Sequence, residues 1–357
     1  MELPPLPRPG PGLPLPPPAG GRTGGGVLLR WLLAVGWMLG VLGASHEEGP
    51  AAAPVRLIRW DGPAGWETLP SPTLARVLES ARLDPGFAWD ELVVSWNVAS
   101  NVVLTVEAQV SGAGETGRWY GLGRWSGDTN RAERTSVRQA ADAVAEVDTD
   151  ILRLRQPRSA GVRLRLTLAE GPDPREAVRL VAAAFRDRRA PWPVLEPVRA
   201  AWGRALDVPV FSQADYPEGV SVWCSPTSST MLLGWWAERL RRPDLRVDVR
   251  DVVRGVHDPG WPGTGNWPFN TAFLGQPDGL RACVARLGGI PDLEHWILHG
   301  CPVACSVSYA LLRGAPEPRP GDGHLVVVRG FSAGGDVWVN DPGVRRDRVR
   351  RTVPRAD

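Results

Sequence analysis

The 357-residue sequence contains no lysine, so all 41 basic residues are arginines. A guanidinium stays charged at any physiological pH and shuttles protons poorly. Schiff-base chemistry, Walker-type phosphate loops and Ser-Lys dyads each need an ε-amino group and are therefore excluded. Cysteine is scarce too. Cys224, Cys283, Cys301 and Cys305 are too few for a disulfide scaffold in a chain of this length, although one bridge, such as Cys283 to Cys301, is open outside the cytoplasm. A strong field of one sign is also missing, since 41 basic and 39 acidic residues leave a formal charge of +2. That balance recruits no nucleic acid. Long apolar runs are missing as well: Trp31–Ala44 spans 14 residues, and Arg30 blocks its extension upstream. A spanning helix needs about 20 apolar residues. The run follows a Pro/Gly-rich segment carrying Arg8 and Arg22 and ends at Gly43-Ala44-Ser45, the pattern of a signal peptide over residues 1–45. The expectation is a secreted chain that begins near His46 after cleavage; a permanent N-terminal membrane anchor is the alternative.

What remains is an ordinary globular composition, 43% apolar and 22% charged, in a chain long enough for about two domains. Val55–Arg59, Glu91–Asn97, Val103–Val110, Arg118–Arg124, Val147–Leu154 and Gly161–Ala169 alternate in polarity between Gly, Pro, Asp and Ser clusters. This predicts an antiparallel, sandwich-like all-β domain over residues 54–190. Arg175–Arg186 reads either as a last strand or as a short helix opened by Asp173-Pro174. The prolines of 191–197 predict an extended linker, and an α+β domain over 198–357 follows. In it, a helix capped by Ser225 runs to about Leu240, Leu280–Leu287 and Asp292–His299 read as helices, and Pro302–Tyr309, Leu325–Phe331 and Val337–Asp341 as strands. No internal repeat is visible.

Cys224 falls in the turn before the first of these helices, where free backbone N–H groups and the helix dipole favour thiolate over thiol. A lone cysteine is otherwise a small core residue, so its partners carry the argument. His324 opens the strand Leu325-Val326-Val327-Val328. A hairpin centred between Ser332 and Ala333, with Gly334 in the unusual turn conformation, sets residue 324 opposite Asp341; a one-residue slip presents Asn340 instead. Cys224 as nucleophile, His324 as base and Asp341 as the group that orients the imidazole form a catalytic set. The Gln213 amide, 11 residues before Cys224, is positioned in sequence to join the Cys224 N–H in an oxyanion hole.

Five runs, Val-Pro-Val-Phe-Ser-Gln (208–213), Trp-Cys-Ser-Pro-Thr-Ser (223–228), Gly-Thr-Gly-Asn-Trp-Pro-Phe-Asn-Thr-Ala (263–272), Gly-His-Leu-Val-Val-Val-Arg-Gly-Phe (323–331) and Val-Asn-Asp-Pro (339–342), make the chain from about residue 55 to 350 resemble a known family. It is similar to the papain-like cysteine peptidases related to double-glycine leader peptidases, family thirty-nine-like, in their stand-alone bacterial secreted branch. The resemblance implies a papain-like α+β fold, a peptide or protein substrate, no cofactor, and the roles above for Gln213, Cys224, His324 and Asp341. It also implies that the β-rich segment is an accessory domain. Transporter-linked members carry membrane and ATP-binding domains that are not in this sequence, so leader processing is not carried over. The relatives continue past the equivalent of Arg351, and residues 352–357 read as a shortened end.

Three other patterns compete. His295, His299, Cys301 and Cys305 have metal-ligand types, but Gly300 ends the helix and Cys305 fits a strand core. His257 beside Asp258 is a second candidate base, on a loop rich in Pro and Gly. Among the 17 tryptophans, Trp192, Trp261 and Trp267 fall on predicted loops and suit glycan or cell-surface contact, whereas Trp235 and Trp236 suit a helix core face. A non-catalytic cell-wall or glycan binder, and an acyltransferase or amidase with the same residues, are the alternatives to a peptidase. A fragment from about residue 198 onward is expected to keep a reactive thiol while losing affinity or stability, since all four site residues lie beyond the linker.

Overall fold

The computed structural model describes residues 55–111, 117–158, 160–170, 172–319 and 321–355, so the run Trp31–Ala44 and the expected cleavage point lie outside the described residues. The N-terminal half is built from β1 (Val55–Trp60), β2 (Glu67–Leu69), β3 (Arg76–Glu79), β4 (Trp89–Val98), β5 (Val103–Ser111), β6 (Arg118–Ser126), β7 (Val137–Ala141), β8 (Ala145–Thr149), β9 (Ile151–Arg158) and β10 (Gly161–Glu170), followed by helix α1 (Pro174–Ala177) and β11 (Val178–Arg186). They form a six-stranded sheet, β1-β11-β4-β9-β8-β7, and a five-stranded sheet, β2-β3-β10-β5-β6. The sheets share one core, in which Leu92, Val94 and Trp96 of one meet Leu104, Val106 and Leu166 of the other. The predicted segment Val147–Leu154 is two strands rather than one, because Thr149 adopts a left-handed backbone with φ 59° and turns the chain at Asp150. Segment 175–186 contains both predicted alternatives: Asp173 caps α1 through the Arg175 N–H at 2.9 Å, and β11 follows.

The C-terminal half has α2 (Cys224–Leu240), α3 (Val249–Val256), α4 (Trp267–Leu274) and α5 (Ile290–Leu298), then β12 (Val303–Ser308), α6 (Tyr309–Leu312), β13 (Gly323–Phe331), β14 (Val337–Asn340) and β15 (Arg350–Val353). The last four strands make an antiparallel sheet in chain order. Its two faces explain the apolar run after His324. Val326 and Val328 pack toward Ile297 of α5, whereas Val327 packs toward Met231 of α2. The chain is thus α+β.

Two sequence-based expectations are corrected here. Leu280–Leu287 forms neither helix nor strand; it lies against β4, where the Val284 N–H donates to Ser95 Oγ at 3.0 Å and the Ala282 N–H to Asn97 Oδ1 at 2.9 Å. The polar face of β4 therefore binds chain from the C-terminal half instead of facing water. Trp267 is the first residue of α4, not a loop residue. The same helix inserts Phe269 into the core between the two sheets, with ring centroids 5.2 Å from Trp125 and 6.3 Å from Trp96. The Trp267 N–H at the start of α4 donates to Asp150 of the β8–β9 turn at 2.8 Å. No residue between 187 and 198 belongs to a helix or strand, and the Val198 N–H ends this stretch on Glu294 at 2.7 Å.

Candidate active site

Cys224 is the first residue of α2, with Trp223 as its cap. Ser225, expected as the cap, lies inside the helix and its Oγ has no partner. Pro226 in the first turn costs little, because the N–H it lacks has no intrahelical acceptor. The first helical bond is Thr227 N–H to Trp223 O at 3.0 Å. Packing of α2 across β13, with Ser228 Oγ donating to Leu325 O at 3.3 Å, brings the N-terminus of the helix to the start of the strand. Cys224 and His324 meet there as hydrogen-bond partners.

The His324 ring is tied from its other side. His324 Nε2 is 2.7 Å from Asp341 Oδ1, with both residues buried. This leaves Nδ1 for the thiol. The pairing of β13 with β14 differs from the expected register: Val327 is opposite Asn340 and Val328 opposite Val339, with a bulge before Gly330. The turn spans Ser332 to Asp336, and Gly335 (φ 92°), not Gly334, takes the left-handed position. His324 and Asp341 still meet because the shift is by two residues, which preserves the face on which each side chain lies. They meet diagonally. Asn340 points to the opposite face, where its Nδ2 donates to Val208 O at 3.3 Å and Pro209 O at 3.1 Å.

Asp341 has two more partners. Its Oδ1 accepts the Gly343 N–H at 2.8 Å, an Asx turn through Pro342, and its Oδ2 accepts Arg351 Nη1 at 2.6 Å. A side chain at position 343 would collide with the His324 ring, so only glycine permits this close approach. Tyr309 of α6 lies over His324 with ring centroids 4.7 Å apart. Gln213 is buried in the turn 213–215; its backbone N–H donates to Pro342 O at 3.0 Å and its Nε2 to Val220 O at 2.8 Å. One amide hydrogen of Gln213 is thereby left uncommitted. All four residues selected from the sequence thus belong to one connected neighbourhood.

Cys224, His324 and Asp341 each favour charge on their neighbour against burial. Burial opposes charge on Cys224, but the hydrogen bond and charge of His324, with backbone at Leu325 and Ser225, outweigh it and lower the thiol below its ordinary value of 9.0. Burial also opposes charge on His324, and Asp341 and Cys224 overcome it, raising the imidazole from 6.5 to about 9. For Asp341 burial is again the largest opposing effect, overcome by His324, the Gly343 N–H and Arg351, so the carboxyl lies below the usual range. The other cysteines contrast with Cys224: burial pushes Cys283 and Cys301 up to about 11 and Cys305 to about 12. All four are free, so no bridge joins Cys283 to Cys301.

The rival residues do not join this neighbourhood. His257 ends α3 with an exposed side chain, while its neighbour Asp258 is fully buried and accepts from Ser136 N–H at 3.0 Å and Asn266 Nδ2 at 2.9 Å. His299 Nδ1 lies 2.8 Å from His295 O. Arg351 and Tyr309 were missed in the sequence. Nothing local marks either one, since Arg351 reaches Asp341 only through the pairing of β14 with β15, where it lies opposite Val339.

Two family models match the chain. Residues 74–185 match the family described as Peptidase C39 N-terminal domain, and residues 205–357 match the Peptidase C39-like family. No curated protein matches.

Proposed function

We propose that this chain, which belongs to the C39-like cysteine peptidase family, hydrolyses peptide bonds with Cys224 as nucleophile, His324 as acid and base, Asp341 as the orienting group and Gln213 in the oxyanion hole, on a papain-like fold. The observation that carries this reading is the Asp341–His324 contact of 2.7 Å on one side of the imidazole, with Cys224 at a helix N-terminus on the other. The thiolate attacks the carbonyl carbon, and the developing oxyanion is met by the Cys224 N–H, which has no intrahelical acceptor, and by the uncommitted hydrogen of Gln213 Nε2. The imidazolium passes its proton to the leaving amine, giving a thioester. His324 then takes a proton from water, which attacks the thioester and frees Cys224. Asp341 keeps the Nε2–H directed away from the thiol throughout.

Iodoacetamide at pH 7 is expected to alkylate Cys224 in the folded protein and leave the three cysteines held at about 11 to 12 unmodified, as read by peptide mapping. Uniform labelling of all four, or of none, would contradict an activated thiolate. The pH dependence has a defined sign. The raised imidazole remains protonated through neutrality, so kcat/KM should fall as pH rises through about 9, where the proton for the leaving amine is lost. The acid limb follows protonation of the thiolate. The same linkage acts on folding: stability from the charged imidazole is fully present below 6.5 and lost as pH rises through about 9.

Arg351 holds Asp341 Oδ2 at 2.6 Å and acts through the carboxylate, not on substrate. Arg351→Met should lower kcat about 10- to 100-fold through a loosened carboxylate, with KM little changed. It should also move the alkaline limb above its wild-type position, because the Asp341 charge is then less compensated and holds the imidazolium more firmly. Arg351→Lys should restore part of the rate. An unchanged pH profile in Arg351→Met would reduce Arg351 to a fold contact.

A further inference from the structure

Eight large apolar side chains are exposed among the described residues, and three of them, Val220, Val222 and Trp261, lie on the segment just before Cys224 and on the loop before α4. Singly scattered apolar side chains need no explanation, but a cluster beside a cleft does. Val222 is 60% exposed two residues before Cys224, and Val220 is 53% exposed at the residue whose carbonyl accepts from Gln213 Nε2. The loop before α4 joins them: Thr264 Oγ1 donates to Val222 O at 3.4 Å, and the Trp261 ring, 46% exposed, covers Gly263 and Gly265 on either side of Thr264. This loop is anchored from beneath by buried Asp258, which holds Ser136 N–H of the N-terminal half at 3.0 Å and Asn266 Nδ2 at 2.9 Å.

The carboxylates beside the patch are paired: Glu218 pairs with Arg250 at 2.7 Å and Asp215 with Arg346 at 3.7 Å. The Cys224 side of the site thus carries an exposed apolar surface, with neighbouring carboxylates turned to arginines.

We infer that this site selects polypeptides with a large apolar side chain beside the scissile bond, through a wall of Val220, Val222 and Trp261 on the Cys224 side. The inference rests on the peptidase reading and specifies its substrate class. A polypeptide with glycine or a carboxylate at that position leaves the apolar wall wet.

The test uses the full-length chain and fluorogenic peptides identical except for a Leu-Leu, Gly-Gly or Glu-Glu pair across the cleaved bond, alongside iodoacetamide mapping of Cys224. The expected result is fast alkylation of Cys224 with kcat/KM for Leu-Leu about 10- to 200-fold above Gly-Gly. In a Val222→Ser, Trp261→Ser double variant that ratio should drop about tenfold. Val222→Ser alone, at an exposed position, keeps the measurement open if the double variant does not fold. Fast alkylation with a ratio near or below one, with hydrolysis of no peptide, or with a ratio unmoved by the variants, overturns the inference while leaving the catalytic thiol in place. Absence of alkylation at Cys224 removes the peptidase reading and the inference with it.

Discussion

Cys224→Ala is expected to abolish peptide hydrolysis. No other side chain in the neighbourhood can form the thioester, and the three remaining cysteines are held as thiols by burial. His324→Ala should be nearly as severe, because the thiol then loses the partner that outweighs its burial and the leaving amine loses its proton donor. Gln213→Ala should cost about 100- to 1000-fold in kcat with KM little changed, the usual loss for one oxyanion donor. Asp341→Asn should fall between these: the amide can still meet His324, but it cannot hold an imidazolium or pair with Arg351 as a carboxylate does. The ordering is measured by steady-state kinetics on variants first shown by thermal melting to be folded. Wild-type hydrolysis by Cys224→Ala would make the central assignment wrong.

Phe269→Ala is expected to lower stability by about 3–5 kcal/mol, read as a shift of the urea midpoint. The side chain is fully buried between Trp96 and Trp125, and the cavity left by its removal lies in the core shared by the two sheets. Deleting residues 55–190 should be worse. The deletion strips Phe269 and Ala272 of their surroundings and removes Asn97, whose Nδ2 donates to Thr271 O at 3.0 Å and Ala282 O at 2.9 Å. It also removes the Asp150 carboxylate that receives the Trp267 N–H. A fragment from residue 198 onward should therefore not keep a reactive thiol by itself, contrary to the sequence-based expectation, because α4 bonds to α2 through Asn270 and Ser229 at 3.3 Å and depends on the sheets for its other face. A fragment that melted cooperatively near the intact protein and retained fast alkylation would refute this dependence.

The sequence by itself determined what local patterns can encode. The thiol falls at the start of a helix, and the histidine opens a strand whose unbroken apolar run announces burial on both faces. Polarity alternates in the first half with a period of two. From these came the β-rich half, the α+β half and the four candidate residues. Tertiary structure decided the rest. The register of β13 against β14 depends on a bulge and a longer turn, features that a period of two cannot reveal, and the two-residue shift was harmless only because it kept parity. In β4 the residues Glu91, Ser95 and Asn97 alternate with apolar neighbours as a solvent-facing strand would, yet this face pairs with Arg286, Val284 and Ala282. A polar side chain reads the same in sequence whether its partner is water or a distant backbone amide. Arg351 illustrates the same limit most sharply: one arginine among many, it becomes the second anchor of Asp341 only when the last strand joins the sheet beside it.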